Sequence, residues 1–307
     1  MYTKYIYNNT QTAANLLADL ILLLTGTTDV NALSAGCDKA SSQIFATVGA
    51  GWSVYDASAG TNAQCLRAVL ADDATKYKYI VIDTNTTNKV LIKVYESWNS
   101  GNHTGTNLCY YSDSVTFCQQ VALSSGGRID ISASVRHVLM FSYQSAVYGD
   151  SGYHAPCGCM ERTRLSPWDT VANAYPPFAW FQLGVLTQYA GGAYAYHPRR
   201  VAANLSDVTG ASAGAFLITP YGANVNAVYV VTPSATVPDV NKAASHQLIP
   251  FGCSHPTDGF LGGDVSAATK CYITTYNFGG VYDNIVVGSD TYVVWTSANY
   301  RIAVYQG

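Results

Sequence analysis

His154, Cys157 and Cys159 form a His-x2-Cys-x-Cys run, and Cys253 with His255 adds another sulfur and nitrogen donor, so a four-ligand zinc site is the first chemistry to test. The spacing speaks against it. Cys-x-Cys is tighter than the usual Cys-x2–4-Cys clip, and the two pieces lie far apart in the chain, so these residues are expected to be loop thiols rather than metal ligands. Asp83, Asp113 and Asp264 carry oxygen donors for calcium, but no Asp-x-Asp-x-Asp-Gly loop gathers them. No metal and no cofactor is expected.

Nucleophilic catalysis would need a Ser or Cys beside a His that a carboxylate orients. The chain has six His and many Ser, and no motif selects one pair. Gly-x-Ser-x-Gly, the phosphate-binding Gly-x4-Gly-Lys-Ser/Thr and His-Glu-x2-His do not occur. The adjacent pair Asp72-Asp73 falls between expected strands and is read as a solvated turn, while Glu161 and Arg162 are read as a paired charge beneath an aromatic loop. A hydrolase would then rest on carboxylates converging from distant strands. No catalytic residue is expected. The sequons at Asn8, Asn85, Asn102 and Asn204 are chance occurrences in an Asn- and Thr-rich chain that opens without a basic-then-apolar leader.

The elements that must carry these residues follow from periodicity. Residues 10–25 predict a helix, with Thr10 as its cap, Leu16, Leu20 and Leu23 or Leu24 on one face, and Gly26 at its end. A second, shorter helix is expected from Val30 to Ser42, capped by Asp29. From Gly51 the apolar period changes to two. Strands are expected at Trp52–Tyr55, Gln64–Leu70, Lys76–Asp83 and Lys89–Trp98, with a hairpin turn at Thr84–Asn88 and Tyr77, Tyr79 and Val81 laddered against Tyr95, Val94 and Ile92. Asp130–Tyr143 reads as one long strand with a bulge.

Tyr148–Tyr196, crowded with Trp168, Tyr175, Pro176, Pro177, Phe178, Trp180 and Phe181, reads as a long ordered loop. Further strands follow at Ala215–Thr219, Asn226–Thr232, Lys270–Phe278, Asn284–Val287, Tyr292–Trp295 and Arg301–Tyr305, with a turn at Gly288-Ser289-Asp290. The fold class is mainly β with an N-terminal helical segment, in an antiparallel β-sandwich-like architecture. Its expected divisions are the helical segment 1–50, a β-rich domain 51–190 with the aromatic loop, and 191–307 as a second β-rich domain or the second half of the same sandwich.

The chain's 307 residues are 49% hydrophobic but only 11% charged, against about 25% in typical domains. Its net charge of −3 and scattered Lys and Arg leave no electrostatic footprint for nucleic acid. The apolar run Leu16–Leu24, broken by Asp19, falls short of the roughly 20 residues that span a bilayer, so no membrane insertion is expected. The 24 Tyr offer rigid amphipathic side chains suited to contact surfaces, and low charge weakens repulsion between copies. Trp52, Trp98, Trp168 and Trp180 are the candidates for stacking on sugar rings, with burial in the core as the alternative. The eight thinly spread Cys read mostly as buried thiols, with disulfides open to a particle that reaches an oxidising exterior.

The opening through Leu33-Ser-Ala-Gly-Cys-Asp-Lys-Ala40, the segment Gly51-Trp-Ser-Val-Tyr-Asp-Ala-Ser-Ala-Gly-Thr-Asn62, the central Trp168-Asp-Thr-Val-Ala-Asn-Ala-Tyr-Pro-Pro177, and Gly288-Ser-Asp-Thr-Tyr-Val-Val-Trp295 with Tyr300-Arg-Ile-Ala-Val304 carry a resemblance. Spread over the whole chain, they resemble virion structural proteins of tailed bacteriophages. The resemblance implies a β-rich subunit of the tail and baseplate apparatus, or of the head, with other virion proteins and copies of itself as partners. It carries over no active-site residue. The expected location is the virion, after assembly in the host bacterial cytoplasm. A head-decoration protein and a carbohydrate- or receptor-binding virion protein, with glycan contact, stand as the alternatives.

Overall fold

A computed structural model describes residues 1–70, 73–85, 89–95, 97–106, 118–121, 123–142, 157–161, 178–182, 199–200, 216–218, 248–249, 252–255, 259–262, 270–274, 282–297 and 300–307. The chain opens with β1 (Tyr2–Tyr7), α1 (Ala13–Thr25) and β2 (Gln43–Phe45). It continues through β3 (Ser53–Gly60), β4 (Ala63–Leu70), β5 (Asp73–Asp83), β6 (Lys89–Tyr95), the short β7 (Ser97–Asn99) and β8 (Thr104–Thr106), and β9 (Cys118–Gln120). Then come β10 (Gly127–Ser134), β11 (His137–Ser142), β12 (Cys157–Glu161), β13 (Phe178–Gln182) and β14 (Arg199–Arg200). The architecture is mainly β, antiparallel and sandwich-like, with the one described α-helix near the N-terminus.

A five-stranded sheet runs β3-β4-β5-β6-β9 and a seven-stranded sheet β14-β13-β12-β11-β10-β1-β2. One core joins them. Leu66, Ala68, Ile80, Ile82, Val90, Ile92 and Val94 of the first sheet meet Tyr5, Tyr7, Ile129, Ile131, Ala133, Val138, Met140 and Cys159 of the second, with Leu16, Leu20, Leu23 and Leu24 of α1 in the same cluster. The register explains the sorting. Leu66 pairs with Ile80 and Ile80 with Val94, so a row crosses the sheet on its inner face.

The helix forms where Ala and Leu favour it, but its cap is Thr12, whose Oγ1 accepts from the Asn15 amide at 3.1 Å, while Thr10 is bound to the Asn8 side chain. Gly26, at φ 140°, ends it by donating to Leu22 O at 3.1 Å. Asp19 lies on the buried face and is answered by Tyr5 OH at 2.5 Å and by Ser34 N and Oγ at 2.6 and 2.7 Å. That carboxylate ties α1 to β1 and to the following loop.

The expected helix Val30–Ser42 is reduced to a single 3-10 turn at Val30–Ala32, which Asp29 does cap. Its backbone groups are spent elsewhere: Gly36 O accepts from Asn8 N, Asp38 N donates to Ile6 O, and the Asp38 side chain takes the Ala40 and Ser41 amides. The expected single strand over Asp130–Tyr143 is the hairpin β10–β11, with Ser134 opposite His137. In the β5–β6 ladder Tyr79 does face Tyr95, but Val81 faces Lys93, while Val94 and Ile92 face Ile80 and Ile82. The stretch expected as a loop over Tyr148–Tyr196 contains β12 and β13, and its other residues lie outside those described, as does the expected strand Asn226–Thr232.

β15 (Phe216–Ile218) belongs to a three-stranded sheet with β17 (Gly252–His255) and β18 (Gly259–Gly262), and β16 (Leu248–Ile249) to a second five-stranded sheet. The latter continues through β19 (Cys271–Thr274), β22 (Tyr300–Tyr305), β21 (Asp290–Ser297) and β20 (Asn284–Val287), so the expected C-terminal strands and the turn at Gly288 are present there. Trp295 of β21 stacks on Phe141 of β11 at 5.6 Å and lies beside Tyr2 of β1. Beneath it Asp130 is wholly buried and accepts from Arg128 Nε and Nη2 at 2.6 and 2.7 Å, from Trp295 Nε1 at 3.3 Å and from Tyr2 OH. Removing the carboxylate strands a partly buried guanidinium, so Asp130→Ala is expected to cost about 3–5 kcal/mol in urea unfolding.

On the same hairpin, His137 is buried, with Nε2 3.0 Å from Ser132 Oγ and Nδ1 2.9 Å from Ser134 Oγ. One hydroxyl donates to the neutral ring and the other accepts from it. Burial, then the positive N-terminal amine and Lys78, push its pKa down to about 3 from an ordinary value of 6.5. The unfolded state therefore takes up the proton first, and the stability due to this group is full above about pH 6.5 and lost progressively as pH falls toward about 3. Unfolding measured across that window should show a slope that His137→Gln flattens, whatever its effect on absolute stability.

Candidate functional site

Strand alternation gives the five-stranded sheet of β3 to β6 and β9 a second face, directed away from the core. Arg67 is paired with Tyr79, Tyr79 with Tyr95 and Val69 with Tyr77, placing Arg67 and Val69 of β4 beside an aromatic row on β5 and β6. Tyr55 of β3 joins it, its ring 5.3 Å from that of Tyr79. The Arg67 guanidinium sits 4.6 Å from the ring centres of both Tyr55 and Tyr77, and Tyr77 is 42% exposed. Cation–π contact with the two rings holds the guanidinium in place.

The β7–β8 hairpin closes one end of this row. Trp98 packs edge-on against Tyr95 at 5.0 Å, and Gly105 lies so close that a Cβ there would overlap the Tyr95 ring. A buried carboxylate pins the hairpin down: Asp56 Oδ2 accepts from Trp98 Nε1 at 2.8 Å and contacts His103 Nδ1 at 2.8 Å, while Oδ1 accepts from the Ser58 amide at 2.9 Å. Burial alone would raise the Asp56 carboxyl, but the His103, Trp98 and Ser58 contacts outweigh it and hold the group below the usual carboxylate range. His103 adopts a left-handed φ of 55°, which directs its ring back to Asp56 while leaving the side chain 45% exposed.

An imidazole oriented by a carboxylate is half of a nucleophile-activating arrangement. Cys65, the register partner of Asp56, has its thiol pushed up to about 12 by burial and by the Asp56 charge, the reverse of what a nucleophile needs. The other His beside Ser, His137, is sealed in the core with both ring nitrogens engaged. Asp56–His103 thus serves as a clip for the hairpin. Asp83 is ion-paired with Lys93 at 2.6 Å on the same face.

Of the residues singled out for chemistry, Cys159 is buried in the seven-stranded sheet, Cys157 lies on the same strand, and Cys253 and His255 lie on β17 of another sheet. His154 is outside the described residues, as are Asp72, Asp113, Asp264, Arg162 and Trp168. Asp73 and Glu161 fall on β5 and β12. Among the described residues no group of three or more His, Cys, Asp or Glu is placed to hold a metal ion. Cys37, Cys65, Cys159 and Cys271 are buried, as expected of small apolar residues. Trp52 and Trp98 are buried and so unavailable for stacking on a sugar, while Trp180 falls on β13. No described helix is long and apolar enough to cross a membrane.

Tyr55, Arg67, Asp56 and His103 escape a reading of sequence motifs because they come from separate strands and a hairpin turn. The available signal is the single cation among the apolar residues of Ala63–Leu70, where strand parity sets Arg67 opposite to Leu66 and Ala68. No known protein family matches the chain, and no curated protein matches it significantly. Gly105→Ala is expected to lift the hairpin from Tyr95, lowering stability by about 1–3 kcal/mol and changing the near-UV circular dichroism of Trp98. Gly60→Ala, whose Cβ would meet only Ala63 at 3.4 Å, should leave that signal intact.

Proposed function

We propose that the chain is a structural subunit of a tailed-phage virion, in the tail and baseplate apparatus, acting by protein–protein assembly rather than by catalysis. The observation that carries the reading is the outer face of the five-stranded sheet. Tyr55, Tyr77 and Tyr79 present rigid rings at low entropic cost, on strands whose opposite face is locked into the main core. A surface of this kind serves contact. The low charge of the chain and the resemblance of its Gly51–Asn62, Trp168–Pro177 and Gly288–Trp295 segments to tailed-phage virion proteins support the same reading.

The exposed Tyr77 at the edge of this half-buried row also favours a second reading, a carbohydrate- or receptor-binding virion protein, with Tyr in place of the buried Trp52 and Trp98 as the contact residues. Head decoration, the remaining alternative, requires a stoichiometry fixed by the capsid lattice. Quantitative mass spectrometry of a phage particle encoding this sequence should find it at a fixed, low copy number. A number matching the capsid lattice would move it to the head, and its absence from the particle would overturn the structural reading.

A further inference from the structure

The geometry points to a binding site for a carboxylate-bearing saccharide, such as a uronic-acid oligomer, on the Tyr55–Arg67–Tyr77 face. The assignment rests on the reading of this face as a contact surface, and not on where in a particle the chain sits. Three observations lead to it. The Arg67 guanidinium carbon lies 4.6 Å from the ring centres of both Tyr55 and Tyr77, and Tyr77 is exposed, so the cation is flanked by two rings at the edge of the face. A guanidinium grips a planar carboxylate with two parallel hydrogen bonds from its N–H donors. Among the described residues no carboxylate and no hydrogen-bond acceptor engages those donors.

Charge gives the second observation. Of the carboxylates on this sheet whose side chains are described, Asp56 is committed to Trp98, Ser58 and His103, and Asp83 to Lys93. Arg67 therefore stands as a cation on a face whose described anions are neutralised, and an anionic occupant complements it. The third is shape. Tyr77, Tyr55 and Tyr79 continue the row on either side of Arg67, with neighbouring strands about 4.8 Å apart. The exposed Tyr77 ring suits the C–H face and hydroxyls of a pyranose, and a carboxylate held at Arg67 fixes where that sugar sits.

Calorimetric titration of the full chain with galacturonic-acid oligomers, set beside the same oligomers methyl-esterified, separates charge from ring stacking. The acid is expected to bind at least about tenfold more tightly than the ester, a difference of about 1.4 kcal/mol. Arg67→Gln should remove that preference and Arg67→Lys restore only part of it, since an ammonium cannot form the paired bonds. Tyr77→Ser, at an exposed position, should weaken acid and ester alike, with thermal unfolding confirming that each variant is folded. Equal binding of acid and ester, unchanged binding by Arg67→Gln, or no binding of either oligomer would each overturn the assignment. A neutral-saccharide result would leave the contact surface standing, and none of these outcomes alters the copy number that tests the virion reading.

Discussion

A carboxylate with no access to water must collect its hydrogen-bond donors from protein, and around Asp130 they come from three places in the chain. Arg128 is two residues away on the same strand, Tyr2 comes from the first strand and Trp295 from the C-terminal sheet. An isolated buried charge is costly enough that the fold cannot relax any of them independently. The two-faced burial of the seven-stranded sheet follows: Tyr5, Ile129, Ile131 and Met140 pack toward α1 and the first five-stranded sheet, while Tyr2, Asp130 and Phe141 meet Trp295 on the other side. Asp19 repeats the device on a smaller scale, fastening helix, strand and loop through Tyr5 and Ser34.

Over the inner layers the outer face of the first sheet carries a smaller core of its own, in which Cys65, Val81 and Trp98 are buried and Tyr55, Tyr79 and Tyr95 are half-buried against them. Leu66, Ile80 and Val94 turn inward, and one residue along each strand Arg67, Tyr79 and Tyr95 turn outward. The rigidity of the contact row is thus borrowed from the core beneath it. The Asp56 clip extends that rigidity to the hairpin, where a single glycine lets two aromatic layers touch.

The sequence made some of this legible and hid the rest for identifiable reasons. The helix is visible because Ala and Leu have strong intrinsic preference and Gly26 stops it, although two threonines compete for its cap and the structure uses the later one. The β10–β11 hairpin is hidden because its turn at Val135-Arg136 has no Gly, Pro or Asn to break an apolar period that continues through it. The segment after Asp29 has helical spacing, but long-range bonds from Ile6, Asn8 and Asp19 hold its backbone in another shape, and no local pattern records them. The contact face fails to show as a motif because it exists only once four strands are in register. Its residues are ordinary strand residues until Tyr55 and Tyr77 close on Arg67.

The lock at Asp130 also sets the order in which the chain can mature. Tyr2 and its carboxylate partner are 128 residues apart, and Trp295 is 165 residues further along. During synthesis β1 emerges early, yet its hydrogen-bonding partner β10 follows much later, and the indole that covers both comes later still. Contacts of such separation form slowly, because loop closure must precede any gain from pairing. Until then the edge of β1 that β10 covers stands open to other strands, while its other edge pairs with β2. In a crowded cell producing many copies at once, the burden on chaperones therefore falls on the edge of β1 that waits for β10.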